Sequence, residues 1–263
     1  MTETDPFYVV AYEPGAEHPS LHTWANRTPN PAGLAGAAPR DVSRRAVPGV
    51  PGAFQLLNVL SEAECEAFMA LSERMGYIPD AAVSLPRAIR HNDSVTWVVD
   101  EDTDGLIWQR AATLAQDWDG LFNGREAVGL NARFRFYRYG PGDYFQAHTD
   151  GDWPGSRVLD ELLVTNAYPD RYSCMTFLLM LNDDFEGGAT RFLVNAANPG
   201  RPARREDEVQ AVDVYTPRGG VLCFPHGMHP LQCVHSSEPI TEGTKYIIRT
   251  DLLFLLDTPA AAH

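Results

Sequence analysis

Between Asn131 and Phe254 the chain is broken into short segments that read as β-strands, and this run limits the fold more than any other feature. The segments cover 131–139, 144–149, 173–182, 189–194, 211–215, 220–225, 231–236 and 244–254. Turn formers separate them: Gly140-Pro-Gly142, Asp183-Asp184 followed by Gly187-Gly188, Pro217-Arg-Gly219-Gly220, and Gly227. Glycine reaches positive φ without a steric penalty, and proline fixes φ and lacks an N–H, so both interrupt regular structure. Short strands at this spacing suggest a jelly roll. The expected class is therefore mainly β with flanking helices.

The helices are expected upstream. Phe54–Leu60 reads as a strand running into Ser61-Glu-Ala-Glu64, which is a capping box, with Leu60 placed to staple onto Cys65. Cys65, Phe68, Met69 and Met75 then form an apolar stripe that Gly76 ends. A second helix is expected over 104–118, capped by Asp102 or Thr103, with Ile107, Ala111, Leu114 and Trp118 on its buried face. Both stripes read as packing against a sheet.

Other segments have less periodicity. Residues 1–48 are rich in Pro, Gly and Ala and read as an extended N-terminal arm, with a short strand at Tyr8–Tyr12. A flap over a site is the functional alternative for the arm. Residues 49–263 read as one domain. Arg90 and Asn92 lie in a polar loop before a strand near 93–99, as candidate pocket residues or as a solvated connection. The 196–208 stretch reads as an exposed loop. The 151–172 stretch leaves directly after Asp150, so Trp153 and Arg157 are candidates to hang over a site there.

Charge narrows the partners. The chain has 263 residues, with 21 Lys and Arg against 35 Asp and Glu, a net charge of −14. Such a surface repels a phosphate backbone, and the basic pairs Arg44-Arg45 and Arg204-Arg205 are small, so no nucleic-acid partner is expected. No apolar run approaches the roughly 18 residues of a membrane span, and the first residues lack the basic and apolar regions of a signal peptide. A cytoplasmic protein with no membrane partner is expected. Cys65, Cys174, Cys223 and Cys233 form no CxxC pair and read as free thiols, although Cys223 and Cys233 could face each other across a hairpin.

The chemistry concentrates at His148-Thr-Asp150. Side chains two apart on a strand point to one face, so an imidazole and a carboxylate converge. A second imidazole would complete the two-His, one-carboxylate set of non-haem Fe(II) oxygenases, and His226, His229 and His235 compete for that place. Iron needs electrons to activate O2, and a 2-oxoacid supplies them by oxidative decarboxylation. Its far carboxylate needs a cation, and in a dry interior that pair must be closely matched. Lys245 suits the task, and Tyr139 can donate a phenolic hydrogen bond to the same carboxylate. Arg249 shares the face of Lys245 at roughly 13 Å along the strand. It is placed with the co-substrate site as a second cation, for a substrate acid group or as a brace. Arg133, Arg135 and Tyr137 share the face of Tyr139, which makes Arg135 a substrate-contact candidate, with a salt bridge in the sheet as its alternative.

Together these motifs resemble the prolyl 4-hydroxylase branch of the 2-oxoglutarate/Fe(II)-dependent dioxygenases. The matching residues are Tyr139-Gly-x-Gly-x-Tyr144 with His148-x-Asp150, the run from Thr176 through Gly187-Gly188 to Phe192, Pro217-x-Gly219 with Phe224, and His235 with Lys245. The resemblance covers about residues 50–255. It implies a double-stranded β-helix with His148, Asp150 and His235 as iron ligands, and Lys245, assisted by Tyr139, on 2-oxoglutarate. It favours His235 over His226 and His229, which become turn, entrance or supporting groups. It implies Fe(II), 2-oxoglutarate and O2 as cofactors, with ascorbate as a further candidate. Related halogenases replace the ligand carboxylate by Gly or Ala, whereas Asp150 keeps it, so hydroxylation is expected. The expected activity is hydroxylation of an unactivated C–H bond in a small molecule, an amino acid or natural-product intermediate, with release of succinate and CO2. A peptidyl prolyl 4-hydroxylase and a non-catalytic β-helix binding or sensor module are the alternatives.

Overall fold

The computed structural model describes residues 5–82, 85–116, 120–201, 203 and 205–256. The chain begins with strands β1 (Phe7–Glu13), β2 (Leu21–Asn26), β3 (Ser43–Ala46) and β4 (Phe54–Leu57), then helix α1 (Glu62–Met75). Strands β5 (Arg90–His91) and β6 (Asp93–Val98) lead to helix α2 (Glu101–Ala111). Next come β7 (Ala127–Leu130), β8 (Arg133–Tyr139), β9 (Tyr144–His148), β10 (Arg157–Leu159), β11 (Leu162–Val164) and β12 (Arg171–Met180). The last strands are β13 (Glu186–Gly187), β14 (Thr190–Asn195), β15 (Val209–Val214), β16 (Val221–Pro225), β17 (His235–Ser237), β18 (Ile240–Glu242) and β19 (Lys245–Leu255).

Two sheets make the body. The major sheet runs β1-β2-β6-β8-β19-β12-β16-β4-β3, with β7 also paired to β19. The minor sheet runs β15-β14-β17-β9-β5. This is the expected jelly roll, and the period-two pattern of β8 shows how its layers arise. Phe134 and Phe136 point to the helical layer, in one core with Trp97, Phe68 and Ile107. Tyr137 and Tyr139 point the other way, in a second core with Leu178, Phe192, Phe224 and Ile247. Alternate residues of one strand thus serve the outer core and the interior between the sheets.

The capping box forms as expected: Ser61 Oγ accepts from Glu64 N at 3.2 Å, and Glu64 Oε2 accepts from Ser61 N at 2.8 Å. Gly76 ends α1 at a positive φ of 90°. For α2 the expectation shifts. The cap is Asp100, whose carboxylate accepts from the N–H groups of Asp102 and Thr103, so the helix starts earlier than the apolar stripe suggests. It ends at Ala111, and Trp118 lies outside the described residues. Segment 231–236 shrinks to β17, because a turn with Gln232 N on His229 O occupies its first residues. The arm residues are more ordered than a loose arm: β1 and β2 extend the major sheet beyond β6, and β3 pairs with β4. All four cysteines are free.

Glu64 also joins the two helices. Arg110 on α2 grips its carboxylate with two bonds, at 3.0 and 2.7 Å, and donates to the carbonyls of Val59 and Ala35. Both side chains are buried. Burial alone would raise the Glu64 pKa, but Arg110 and the N–H groups of Ser61 and Ala35 hold it down to about 2. The contribution of the pair is therefore full above pH of about 4.5 and is lost as pH falls towards about 2. Glu64→Ala leaves the guanidinium buried and unpaired, and is expected to cost about 3–5 kcal/mol in urea unfolding at neutral pH. Adding Arg110→Leu should recover part of that loss.

Candidate metal centre

The minor sheet brings the two imidazoles together. In the β9–β17 ladder His148 stands directly opposite His235, with ring centroids 4.3 Å apart. Each ring is oriented by a backbone carbonyl two residues earlier. His148 Nδ1 donates to Gln146 O at 2.8 Å, and His235 Nδ1 donates to Cys233 O at 3.0 Å. This fixes the tautomer with a free Nε2, the form that ligates a metal. Burial, offset in part by Asp150, pushes the His235 pKa down to about 4, so the ring is neutral at physiological pH.

Asp150 does not continue the strand. β9 stops at His148, and Asp150 sits just beyond it. Three bonds hold it there: Gly227 N donates to its backbone carbonyl at 3.0 Å, Thr176 Oγ1 to Oδ2 at 2.6 Å, and Arg249 Nε to Oδ2 at 3.3 Å. Its carboxylate oxygens lie 3.7 Å from His148 Nε2 and 3.8 Å from His235 Nε2. One ligand atom from each of the three residues falls within 4.8 Å of the other two. Burial would raise the Asp150 pKa, but Arg249 and the two imidazoles hold it well below the ordinary carboxylate range. Two imidazole nitrogens and one carboxylate converge, a donor set that fits Fe(II).

The rivals to His235 have other partners. His226 takes hydrogen bonds with Thr176 Oγ1 at 2.9 Å and Ser173 Oγ at 3.0 Å, so it supports Asp150 through Thr176. Burial pushes its pKa down. His229 Nε2 donates to Leu121 O at 2.7 Å, and its Nδ1 accepts from Leu231 N at 3.0 Å, as a turn residue.

The major sheet supplies the opposite wall. Lys245 pairs across the ladder with Tyr139, and both are buried. Lys245 Nζ donates to Gly188 O at 2.6 Å and to Ser237 Oγ at 3.3 Å, and lies 5.6 Å from the Tyr139 ring centroid. Among the described residues no carboxylate forms an ion pair with it, and burial pushes its pKa down to about 8. A buried ammonium without a counter-ion is a site prepared for an anion. Gly187 and Gly188 both have positive φ, 76° and 62°. A Cβ at Gly187 would stand 2.3 Å from the Pro239 carbonyl oxygen, so this turn, which delivers the Gly188 carbonyl to the amine, favours glycine.

A cavity of about 390 Å³ lies between the walls and is lined by all three metal-ligand candidates, Lys245, Tyr139, Arg249, Arg90 and Trp153. Arg249 lines the cavity and braces Asp150 through Nε at 3.3 Å, with its NH2 nitrogen 3.0 Å from Asp251. Three other candidates do not line the cavity. Asn92 accepts from Arg90 Nε at 3.1 Å and so positions Arg90. Arg135 lies behind Trp153, 5.1 Å from the ring and 3.9 Å from Asp251, and burial beside Arg249 pushes its pKa down to about 10. Arg157 binds Asp104 of α2 at 3.0 and 2.8 Å and so clamps the 151–172 insertion to the helical layer. No described residue of the arm lines the cavity, so the flap alternative has no support. Tyr137, Phe145, Thr176 and Ser237 line it and had drawn no functional expectation. Tyr137 was legible in principle, since it shares the face of Tyr139.

No protein-family model and no curated protein matches the chain. Among solved structures, it is similar to a prolyl hydroxylase from Trichoplax adhaerens, solved with a peptide fragment of the hypoxia-inducible factor oxygen degradation domain. The TM-score is 0.51 at 16% identity, covering 78% of this chain and 84% of that one. The chain shares the fold of that enzyme. A prolyl-4-hydroxylase of Pseudomonas putida also matches, at 19% identity and a TM-score of 0.47 over 76% of this chain and 91% of that one. So does the viral collagen prolyl hydroxylase of Paramecium bursaria Chlorella virus 1, at 13% identity and 0.43 over 83% and 98%.

On this prolyl hydroxylase fold Thr176 is the bond that aims Asp150. Thr176→Val is expected to weaken metal binding by about 10–100-fold while the fold persists. Calorimetric titration with Mn(II) checks this.

Proposed function

We propose that the chain is an Fe(II)- and 2-oxoglutarate-dependent hydroxylase acting on a C–H bond of a small molecule. The observation that carries the reading is the pairing of two incomplete polar sites in one cavity. One is the His148, Asp150 and His235 donor set. The other is Lys245, a buried cation with no acid partner among the described residues.

In this reading His148 Nε2, Asp150 and His235 Nε2 hold the iron. Lys245, with the Tyr139 hydroxyl nearby, takes the far carboxylate of 2-oxoglutarate. Bound Fe(II), 2-oxoglutarate and O2 together supply an oxidant for C–H bonds, with release of succinate and CO2. The chain itself orients the ligand groups and keeps water out. Thr176 and Arg249 fix Asp150, and the Gln146 and Cys233 carbonyls fix the imidazoles. Phe145, Trp153, Leu85 and Phe224 give the cavity apolar walls. Its volume of about 390 Å³ falls in the range of small-molecule sites.

Succinate formation from 2-oxoglutarate under air with Fe(II) tests the reading. Wild-type protein should produce succinate and Asp150→Ala should produce none; normal turnover by that variant would refute the ligand assignment. Lys245 gives a pH signature. Its ammonium is present below pH of about 8 and is lost above it. With 2-oxoglutarate varied, kcat/KM should be level below that value and fall about tenfold per pH unit above it. Lys245→Met should raise the KM for 2-oxoglutarate and remove the alkaline limb.

A further inference from the structure

We propose that the cavity takes a second acid beside 2-oxoglutarate: a substrate whose carboxylate is anchored by Arg90 and whose remaining body carries no positive charge. The inference rests on the oxygenase reading above and specifies its substrate.

The charges facing the cavity do not balance. Arg90, Lys245 and Arg249 line it, and among the described lining residues Asp150 is the sole carboxylate. Arg249 already has two acid neighbours, Asp150 at 3.3 Å and Asp251 at 3.0 Å. Lys245 would be matched by the far carboxylate of 2-oxoglutarate. Arg90 remains.

Arg90 is 6% exposed, and its outer NH2 nitrogen has no hydrogen-bond partner. No described carboxylate forms an ion pair with it. The side chain is nevertheless held firmly. Its Nε donates to Asn92 Oδ1 at 3.1 Å, and the guanidinium lies 4.3 Å from the Tyr137 ring centroid and 5.3 Å from that of Phe145. A guanidinium held at Nε, with its NH2 nitrogen unpaired, is suited to a carboxylate. A buried guanidinium in this state is costly until such a partner arrives.

Arg90 is also poorly placed to share the co-substrate with Lys245. Arg90 and Ser237 both stand opposite Phe145, on its two flanking strands. Their backbones are therefore two strand spacings apart, roughly 10 Å. Lys245 Nζ is on the Ser237 side. A free amino acid fits less well than a simple acid, because its ammonium would face these cations with no carboxylate to receive it. The apolar walls at Phe145, Trp153 and Leu85 suit a neutral body. The substrate class is thus a small carboxylic acid with an uncharged apolar remainder, such as an N-acylated amino acid.

The test is binding to the full chain loaded with Mn(II) and 2-oxoglutarate, followed by calorimetry and thermal shift. The probes are N-acetyl-L-leucine, N-acetyl-L-leucinamide and L-leucine, with phenylacetic acid and phenylacetamide as a second skeleton. At least one acid should bind tenfold or more tightly than its amide, and N-acetyl-L-leucine more tightly than L-leucine. Arg90→Gln should erase the preference for acid over amide while 2-oxoglutarate affinity stays within twofold, which also shows that the variant is folded. The proposal is overturned if acid and amide bind alike, if L-leucine binds as well as its acetyl form, or if no acid binds at millimolar concentration. It is also overturned if Arg90→Gln loses 2-oxoglutarate as Lys245→Met does, since Arg90 would then serve the co-substrate. Failure of 2-oxoglutarate to stabilise the Mn(II)-loaded wild type is a different result, which sinks the oxygenase reading itself.

Discussion

The backbone ladder between β9 and β17 sets His148 directly opposite His235, and the rest of the site is arranged around that pairing. Strand pairing fixes register to the residue, because a slip by one turns every side chain to the other face. With both rings on the inner face, a single carboxylate placed beside them completes a donor set. That carboxylate comes from a residue just outside the ladder, and here side-chain chemistry takes over from strand geometry. Thr176 and Arg249 from the major sheet reach across and hold Asp150, so the two sheets meet at the candidate metal centre through hydrogen bonds as well as packing.

The interior between the sheets is unusual in how many charges it buries. Arg249, Asp251 and Arg135 form a cluster behind the pocket, with Asp251 fully shielded from solvent. Buried ions rarely add stability over apolar groups of the same size, but removing one partner is costly. Such a cluster is better understood as a rigid support, since Asp251 fixes the guanidinium that in turn fixes Asp150. Lys245 and Arg90 are different, because their charges face the cavity and find no acid there.

Most of the frame was legible from periodicity and turn residues. Apart from segment 231–236, the strand run from Asn131 appears close to where the pattern put it, as do the capping box at Ser61 and the outward phenylalanines of β8. These are local properties, set by alternation and by backbone preference. What escaped was the identity of long-range partners. Nothing in the spacing reveals that Arg157 meets Asp104, that Arg110 meets Glu64, or that Arg249 meets Asp150. An arginine on an inward face can serve a ligand or a salt bridge, and only the fold decides which. Arg135 and Arg157 lie off the cavity, Arg249 lines it while bracing Asp150, and Arg90 lines it without an acid partner among the described residues. The convergence of His148 and Asp150 was anticipated through a strand that in fact ends before Asp150, so the right neighbours were reached by an incomplete route.

The walls of the cavity have two origins, and the clamp between Arg157 and Asp104 fastens one of them from outside. The metal-ligand candidates and the lysine sit on ladder strands or are tied to them, while Trp153 belongs to an insertion whose neck closes on Ser173 and whose hairpin is fastened to α2. An evolutionary change in that insertion can reshape the wall a substrate meets without shifting any strand register. New specificity can then arise by exchanging one surface excursion, with the oxidising machinery inherited intact.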